Sequence, residues 1–415
     1  MSRLLLLIPT TTYRTEAFVE AAYGLGVDVV VASDRPNALQ DALPNSLLTL
    51  DFSKPDMAAR EVAAFTRDHP IDGVVPVDDP TTVVGAAIAG ALGLPSNSVE
   101  SAQAALNKSV MRRLLTQAGV PSPRYWLFTL DDDPALVADT VPYPVILKPT
   151  ILSASRGVIR ADDRAQFVNA FPRIEAILRT PEVAAMGEAA RQILVEEFVP
   201  GMEVALEGLL FKGDLQVLAL FDKPDPLDGP FFEETLYVTP SRLPATTQAA
   251  IANCAAAAAQ ALGLREGPVH AELRLNEHGP WIVEVAARSI GGLCSRTLRF
   301  GTGMSLEEVI IRHALGMEIV SMERERKPAG VMMIPIPQSG ILQEVRGREE
   351  AERIPGIEEV KITIPIGQEV VPLPEGMKYL GFIFARDETP ERVEAALREA
   401  HRRLTFIITP SPEAP

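Results

Sequence analysis

The sequence predicts a mixed α/β and α+β protein: a doubly wound βαβ N-terminal domain, a strand-rich middle, and a β-rich C-terminal subdomain. Three observations carry this. Residues 3–34 alternate an apolar run, a helical stretch and a second apolar run. From Ile193 to about Leu220, short strand-like runs are separated by Pro200-Gly201 and Gly213-Asp214, as in an antiparallel sheet. From Ala329 to Ala385 the chain is β-rich and punctuated by Pro and Gly.

Taken in order, Leu4-Leu5-Leu6-Leu7-Ile8 reads as a buried strand. It is far shorter than the ~20 apolar residues a membrane helix needs, and Pro9 and three threonines follow it. A helix over Thr15–Leu25 stops at Gly26, and Val27–Ala32 returns as a strand. A second round has a helix over Met57–Asp68, a strand at Gly73–Val77 and a helix through Thr82–Leu92. The turn after the first strand, Pro9 to Tyr13, has no G-x-G-x-x-G, so this domain need not bind a nucleotide.

A single helix is expected from Ala102 to Ala118, ended by Gly119-Val120-Pro121. Val145-Ile146-Leu147-Lys148-Pro149 is a strand, the Ser153–Gly157 loop follows, and a long helical region runs to Ala189. An alanine-rich helix, Thr246–Leu262, precedes two strands, Val269–Leu275 and Trp281–Val285, joined as a hairpin by Asn276-Glu277-His278-Gly279. Helices Ser305–Leu315 and Pro390–Leu404 complete the pattern.

Composition narrows the function classes. At 415 residues, 47% hydrophobic and 23% charged, the chain can bury a large core over several units. Its formal charge of −16 and the lack of a basic patch argue against a nucleic-acid partner. Only Cys254 and Cys294 are present, so no disulfide framework is expected. Without a bilayer-length apolar stretch, no membrane partner is expected and the cytoplasm is the expected compartment.

The candidate chemistry begins at the hairpin, where two apolar strands each carry a carboxylate, Glu272 and Glu284. Facing one another in a core, they would repel unless a cation or proton intervened, and oxygen-only ligation favours Mg²⁺ or Mn²⁺ over zinc. Two glutamates on a solvent face are the bland alternative. Lys108 follows a helix start, and Lys148 sits in an otherwise apolar strand, a position that asks for an anionic partner. The Ser153–Gly157 loop offers amides and hydroxyls suited to phosphates. Glu196-Glu197-Phe198-Val199 ends a strand and leads to Glu203. No Walker A motif is present.

In this order, Lys108, Val145–Pro149, Ser153–Gly157, Glu196–Glu203, Glu272 and Glu284–Arg288 resemble the ATP-grasp superfamily, over about three quarters of the chain. The resemblance implies an ATP-grasp fold divided into an N-terminal domain (1–100), a linking helix (101–124), a lid (125–200), a central domain with the metal site (201–318) and a C-terminal α+β subdomain (319–415). It implies ATP and Mg²⁺ as cofactors, with Mn²⁺ as a substitute. Lys108, Lys148, Ser153, Ser155 and Gly157 would meet phosphates; Glu196 and the Phe198-Val199 backbone, adenine; Glu203, ribose. Glu272 and Glu284 would hold the metal, and Arg288 and Lys148 would be catalytic.

Many relatives read Glu-x-Asn-x-Arg where this chain has Glu284-Val285-Ala286-Ala287-Arg288, which leaves the number of metal ions open. The Ala-Arg version, with Ile290-Gly291-Gly292 after it, resembles the L-amino-acid ligase branch. That branch implies an ATP-dependent carboxylate–amine ligase that forms dipeptides through an acylphosphate, acting on small molecules and commonly as a homodimer. Glu233, Glu234, His270, Ser289, Gly291, Gly292, Asp78 and Asp79 are the candidate substrate contacts. His270 also reads as a satisfied core histidine, and Asp78-Asp79-Pro80 as a helix cap. Other ATP-grasp ligases or carboxylases, and a non-catalytic nucleotide-binding protein, are the rival readings.

Overall fold

The computed structural model describes residues 2–37, 40, 42–43 and 45–411. Its first unit is a parallel sheet of Arg3–Leu7, Asp28–Ser33, Leu47–Thr49 and Gly73–Pro76, with Arg3–Leu7 between Asp28–Ser33 and Gly73–Pro76. Leu4 to Leu7 are fully buried, as the apolar run requires.

Residues 101–124 depart from the expected single helix. The chain makes two helices, Val99–Leu106 and Lys108–Ala118, broken at Asn107. Asn107 Oδ1 accepts the Ser109 and Val110 amides at 3.0 and 3.3 Å, so its capping preference overrides the apolar periodicity around it. The break places Lys108 at a helix start, with its amide donating to the Thr150 carbonyl at 2.8 Å.

A small antiparallel sheet follows, ordered Tyr125–Thr129, Gln192–Glu197, Val145–Pro149, Ile159–Ala161. In place of one long helical region before Ala189 there are the strand Ile159–Ala161, a helix at Arg164–Leu178 and two short turns of helix. Strand alternation sorts the side chains here. Val145, Leu147, Ile193 and Val195 pack with Phe167, Phe171 and Ile174 of that helix. Ile146, Lys148 and Glu196 therefore project from the opposite face, into a cleft.

The central sheet has eight strands, in the order Gly279–Ala286, Gly267–Asn276, Met202–Phe211, Asp214–Lys223, Leu236–Thr239, Ala329–Ile334, Gly381–Arg386 and Ile357–Ile362. The hairpin forms with Asn276 opposite Gly279 and Glu272 opposite Glu284. One face is apolar: Leu206, Leu210, Ala271, Leu273, Ile282 and Val285 pack with Ile251, Ala255 and Ala258 of the helix Ala245–Ala261. By the same alternation, the other face of these strands carries Glu203, Glu207, His270, Glu272 and Arg274 toward the small sheet, and a bulge at Val283 turns Glu284 to that face as well. A three-stranded sheet, Glu369–Val370, Gly340–Arg346 and Thr405–Thr409, and the helix Pro390–Arg403 finish the chain. No helix among the described residues is long and apolar enough to cross a membrane.

Candidate active site

Between the small and central sheets lies a cavity open to solvent. Ile146, Val158, Phe198, Leu227, Phe232 and Val283 line an apolar part of it, while Lys108, Lys148, Ser153, Ser155, Glu203, Glu272 and Glu284 supply the polar part. A flat apolar slot with cations and hydroxyls nearby suits a purine nucleotide with its phosphates.

The charges in the cleft are paired. Lys148 Nζ meets Glu196 Oε2 at 2.7 Å, and Arg112 Nε meets Glu196 Oε1 at 2.6 Å. All three side chains are almost wholly buried. Burial pushes Glu196 up, but the two cations outweigh it and hold the carboxyl below its ordinary range. Burial, against Glu196, lowers the Lys148 ammonium. Glu196 thus anchors Lys148 while lining the cavity itself. Similarly, the Phe198 amide donates to the Pro144 carbonyl at 3.0 Å, so Phe198 offers the cavity its ring, stacked by Arg160 and Arg274 at 4.1 and 4.9 Å.

The acidic cluster is denser than the sequence suggested. Ligand oxygens of Glu203, Glu234 and Glu272 lie within 4.8 Å of one another. Lys223 Nζ sits among them, 2.8 Å from Glu203, 3.4 Å from Glu272 and in contact with Glu234. Glu203 also receives Arg274 at 3.1 Å, which occupies a carboxylate expected at a ribose. Glu284 takes Lys108 Nζ at 3.1 Å. Burial and the neighbouring Glu272 raise the Glu234 carboxyl, the mark of crowded negative charge. Glu272 and Glu284 are opposed, partly exposed, and oxygen-only. That donor set fits a hard divalent cation such as Mg²⁺.

A second cavity reaches from this cluster to the N-terminal and C-terminal segments. Arg14, Asp78, Asp79, His270, Arg288, Gly291 and Gly292 line it, with Tyr13, Cys294, Met333, Met377 and Tyr379 at its apolar part. Arg288 Nη2 is held by Asp79 Oδ2 at 2.9 Å, so the first residue of the helix Asp79–Leu92 in the N-terminal unit orients a guanidinium just beyond the central-sheet strand Gly279–Ala286. Burial and then that guanidinium act in opposite senses on Asp79, and the net effect lowers it. Asp78 is also the N-cap of the helix Asp79–Leu92. His270 lies between Glu207 (3.2 Å) and Glu272 (3.4 Å); against its burial, those carboxylates raise its pKa to about 9.

Three expected contacts do not converge here. Glu233 lines neither cavity, although Glu234 lines both. Ser289 is buried and accepts Arg14 Nη2 at 2.6 Å. Gly157 donates its amide to the Pro374 carbonyl at 2.8 Å. A Cβ there would come within 2.8 Å of Pro149, and its φ of +75° lies in the region glycine favours. Sequence reading missed Lys223, Arg112, Arg274 and Arg14. Lys223 ends the run Leu218-Ala219-Leu220-Phe221-Asp222, the same signal that singled out Lys148, and Arg112 follows Lys108 by one helical turn.

Comparison with known proteins agrees with this geometry. Models of the ATP-grasp N-terminal domain, the ATP-grasp domain and the L-amino acid ligase C-terminal domain 2 match residues 19–96, 141–297 and 332–409 in turn. The chain belongs to the ATP-grasp superfamily. A solved L-amino acid ligase from Bacillus licheniformis shares this ATP-grasp architecture with a TM-score of 0.82, at 27% identity over 99% of this chain and 99% of that one. Alanine–anticapsin ligase of Bacillus subtilis is 27% identical over 53% of this chain and 49% of its own length. Dapdiamide A synthase of Enterobacter agglomerans is 30% identical over 48% of this chain and 45% of its own. The chain spans about half the length of these two curated relatives. These likenesses place it with the ATP-grasp carboxylate–amine ligases, a family that binds ATP with a divalent metal.

Proposed function

We propose that this protein joins two amino acids, or an amino acid and a related amine, by an ATP-dependent ligation that passes through an acylphosphate and releases ADP and phosphate. One observation carries the reading. Ser153, Ser155, Glu234, Glu272 and Glu284 line both cavities, so a terminal phosphate entering from the nucleotide side and a carboxylate entering from the other meet at that shared wall.

ATP supplies the phosphoryl group that activates the carboxylate, and Mg²⁺ offsets its charge. Lys148, fixed by Glu196, and Lys108 hold the phosphates, while Glu272 and Glu284 take the metal. Arg288, aimed by Asp79, faces the carbonyl where negative charge develops when an amine attacks. Asp78, Asp79 and Glu234 attract the ammonium group of the incoming amino acid. The Ser153–Gly157 loop keeps water from the activated acyl group.

Calorimetric titration of Mg-ATP, followed by ADP release with panels of carboxylates and amines, tests this. Release that requires a pair of amino acids supports the proposal. Release stimulated by phosphoribosylamine, or by bicarbonate with biotin, assigns the chain to another ATP-grasp reaction. Mg-ATP binding with no turnover on any pair overturns catalysis in favour of nucleotide binding alone.

A further inference from the structure

The loop at residues 371–379 belongs to the C-terminal segment, yet it grips the small sheet. The Gly157 amide donates to the Pro374 carbonyl at 2.8 Å, Arg156 Nε donates to the Glu375 carbonyl at 3.0 Å, and Arg173 embraces the Glu375 carboxylate with two donors, one at 2.9 Å. Arg156 and Gly157 directly follow Ser153 and Ser155, the residues that line both cavities. The two intervening positions hold a strained backbone: Ala154 and Ser155 have φ of +54° and +55°, which non-glycine residues seldom adopt without outside restraint.

The same loop reaches the second cavity from its other end. Met377 and Tyr379, two and four residues beyond Glu375, line the apolar part. Tyr379 lies edge-on to Phe382 with ring centres 6.0 Å apart, and Phe382 in turn meets Tyr13 at 5.9 Å. Between grip and wall the loop is tight. Gly376 donates to the Pro372 carbonyl at 2.8 Å, and a Cβ at Gly376 would fall 1.9 Å from the Val371 carbonyl oxygen.

We infer that the 371–379 loop couples occupancy of the amino-acid cavity to closure of the phosphate loop, and that the occupant it reads is an amino acid with an apolar side chain. This rests on the ligase reading for the identity of the two cavities. A side chain against Met377 and Tyr379 holds the loop in place, and Pro374 and Glu375 then hold Ser153–Gly157 down. Glu375, Arg156 and Arg173 are positioning residues, remote from the reacting atoms. The Arg173–Glu375 pair is about two-fifths exposed and is weak alone. Its effect comes from acting with two further bonds at adjacent residues.

Hydrogen exchange of the full chain at residues 153–158 tests the coupling, using L-phenylalanine or L-aspartate as probes and comparing wild type, Glu375→Gln and the double variant Arg156→Ala/Arg173→Ala. In the wild type, L-phenylalanine slows exchange there by about tenfold and L-aspartate does not. In the double variant the protection is lost, and Glu375→Gln is intermediate. In amino-acid-dependent ADP release, the double variant raises KM for the apolar amino acid more than it lowers kcat. Equal protection in wild type and double variant, or none in the wild type, overturns the inference. Protection without any amino-acid-dependent ADP release in the wild type keeps the coupling and rejects the ligase reading.

Discussion

Glu196→Gln isolates the electrostatics of the nucleotide cleft. The substitution keeps the side-chain shape but removes the charge that Arg112 approaches to 2.6 Å and Lys148 to 2.7 Å. Side-chain exposures of 0, 5 and 3% for Arg112, Lys148 and Glu196 leave almost no solvent to replace it. Breaking one partner out of such a buried group costs about 3–5 kcal/mol, and two uncompensated cations remain beside each other. An amide oxygen still accepts one hydrogen bond, so about 3 kcal/mol is the expected loss. For a cooperative unit the size of the ATP-grasp domain at residues 141–297, that corresponds to a fall of about 6–12 °C in the thermal midpoint. Glu197 provides an internal control. It is the next residue on the same strand, but its partner Arg124 is 72% exposed, so Glu197→Gln should cost about 0–1 kcal/mol. Thermal melts of both variants beside wild type measure the contrast. Equal midpoints for the two variants would refute the claim that Glu196 neutralises a buried cation pair.

Other expectations follow from single contacts. Glu284→Ala and Glu272→Ala each abolish ADP release while circular dichroism shows the fold retained, and chelation by EDTA removes the stabilisation that ATP gives; turnover by either folded variant contradicts the metal assignment. Gly201→Ala destabilises strongly, by about 3 kcal/mol or more, because its Cβ would lie 1.9 Å from the Leu275 carbonyl oxygen at a φ of +123°; a melt within about 1 °C of wild type argues against it. Burial pushes the Cys254 thiol up to about 11, so it stays protonated and resists iodoacetamide at pH 8, with alkylation of the folded protein rising only as the pH approaches 11. Rapid labelling at pH 8 contradicts that placement.

Much of the site was legible because strand period and turn chemistry are local. Asn276 to Gly279 closes a short hairpin, which alone sets Glu272 opposite Val283; a bulge at Val283 shifts the register by one residue and brings Glu284 opposite Glu272, a detail that turn chemistry does not report. Lys148 stood out because a charge interrupts an apolar strand. Its partner did not, since Arg112 and Lys148 meet Glu196 across 84 and 48 residues of chain, and no periodicity reports a contact of that range. Lys223 carried the same local signal as Lys148, but the three carboxylates around it come from separate segments. The break at Asn107 shows one local rule defeating another: side-chain capping of two amides outweighs continuity of the apolar face. The junction of the central sheet with strands Ala329–Ile334, Gly381–Arg386 and Ile357–Ile362 is non-consecutive, and strand propensity alone could not have placed it.

The most direct test of the ligase reading is a matrix of amino-acid pairs incubated with Mg-ATP, with ADP quantified and product masses measured by mass spectrometry. The account predicts a dipeptide mass from at least one pair that includes an apolar amino acid, formed in a one-to-one ratio with ADP. ADP released without any condensed product, or AMP and pyrophosphate in place of ADP and phosphate, would contradict it.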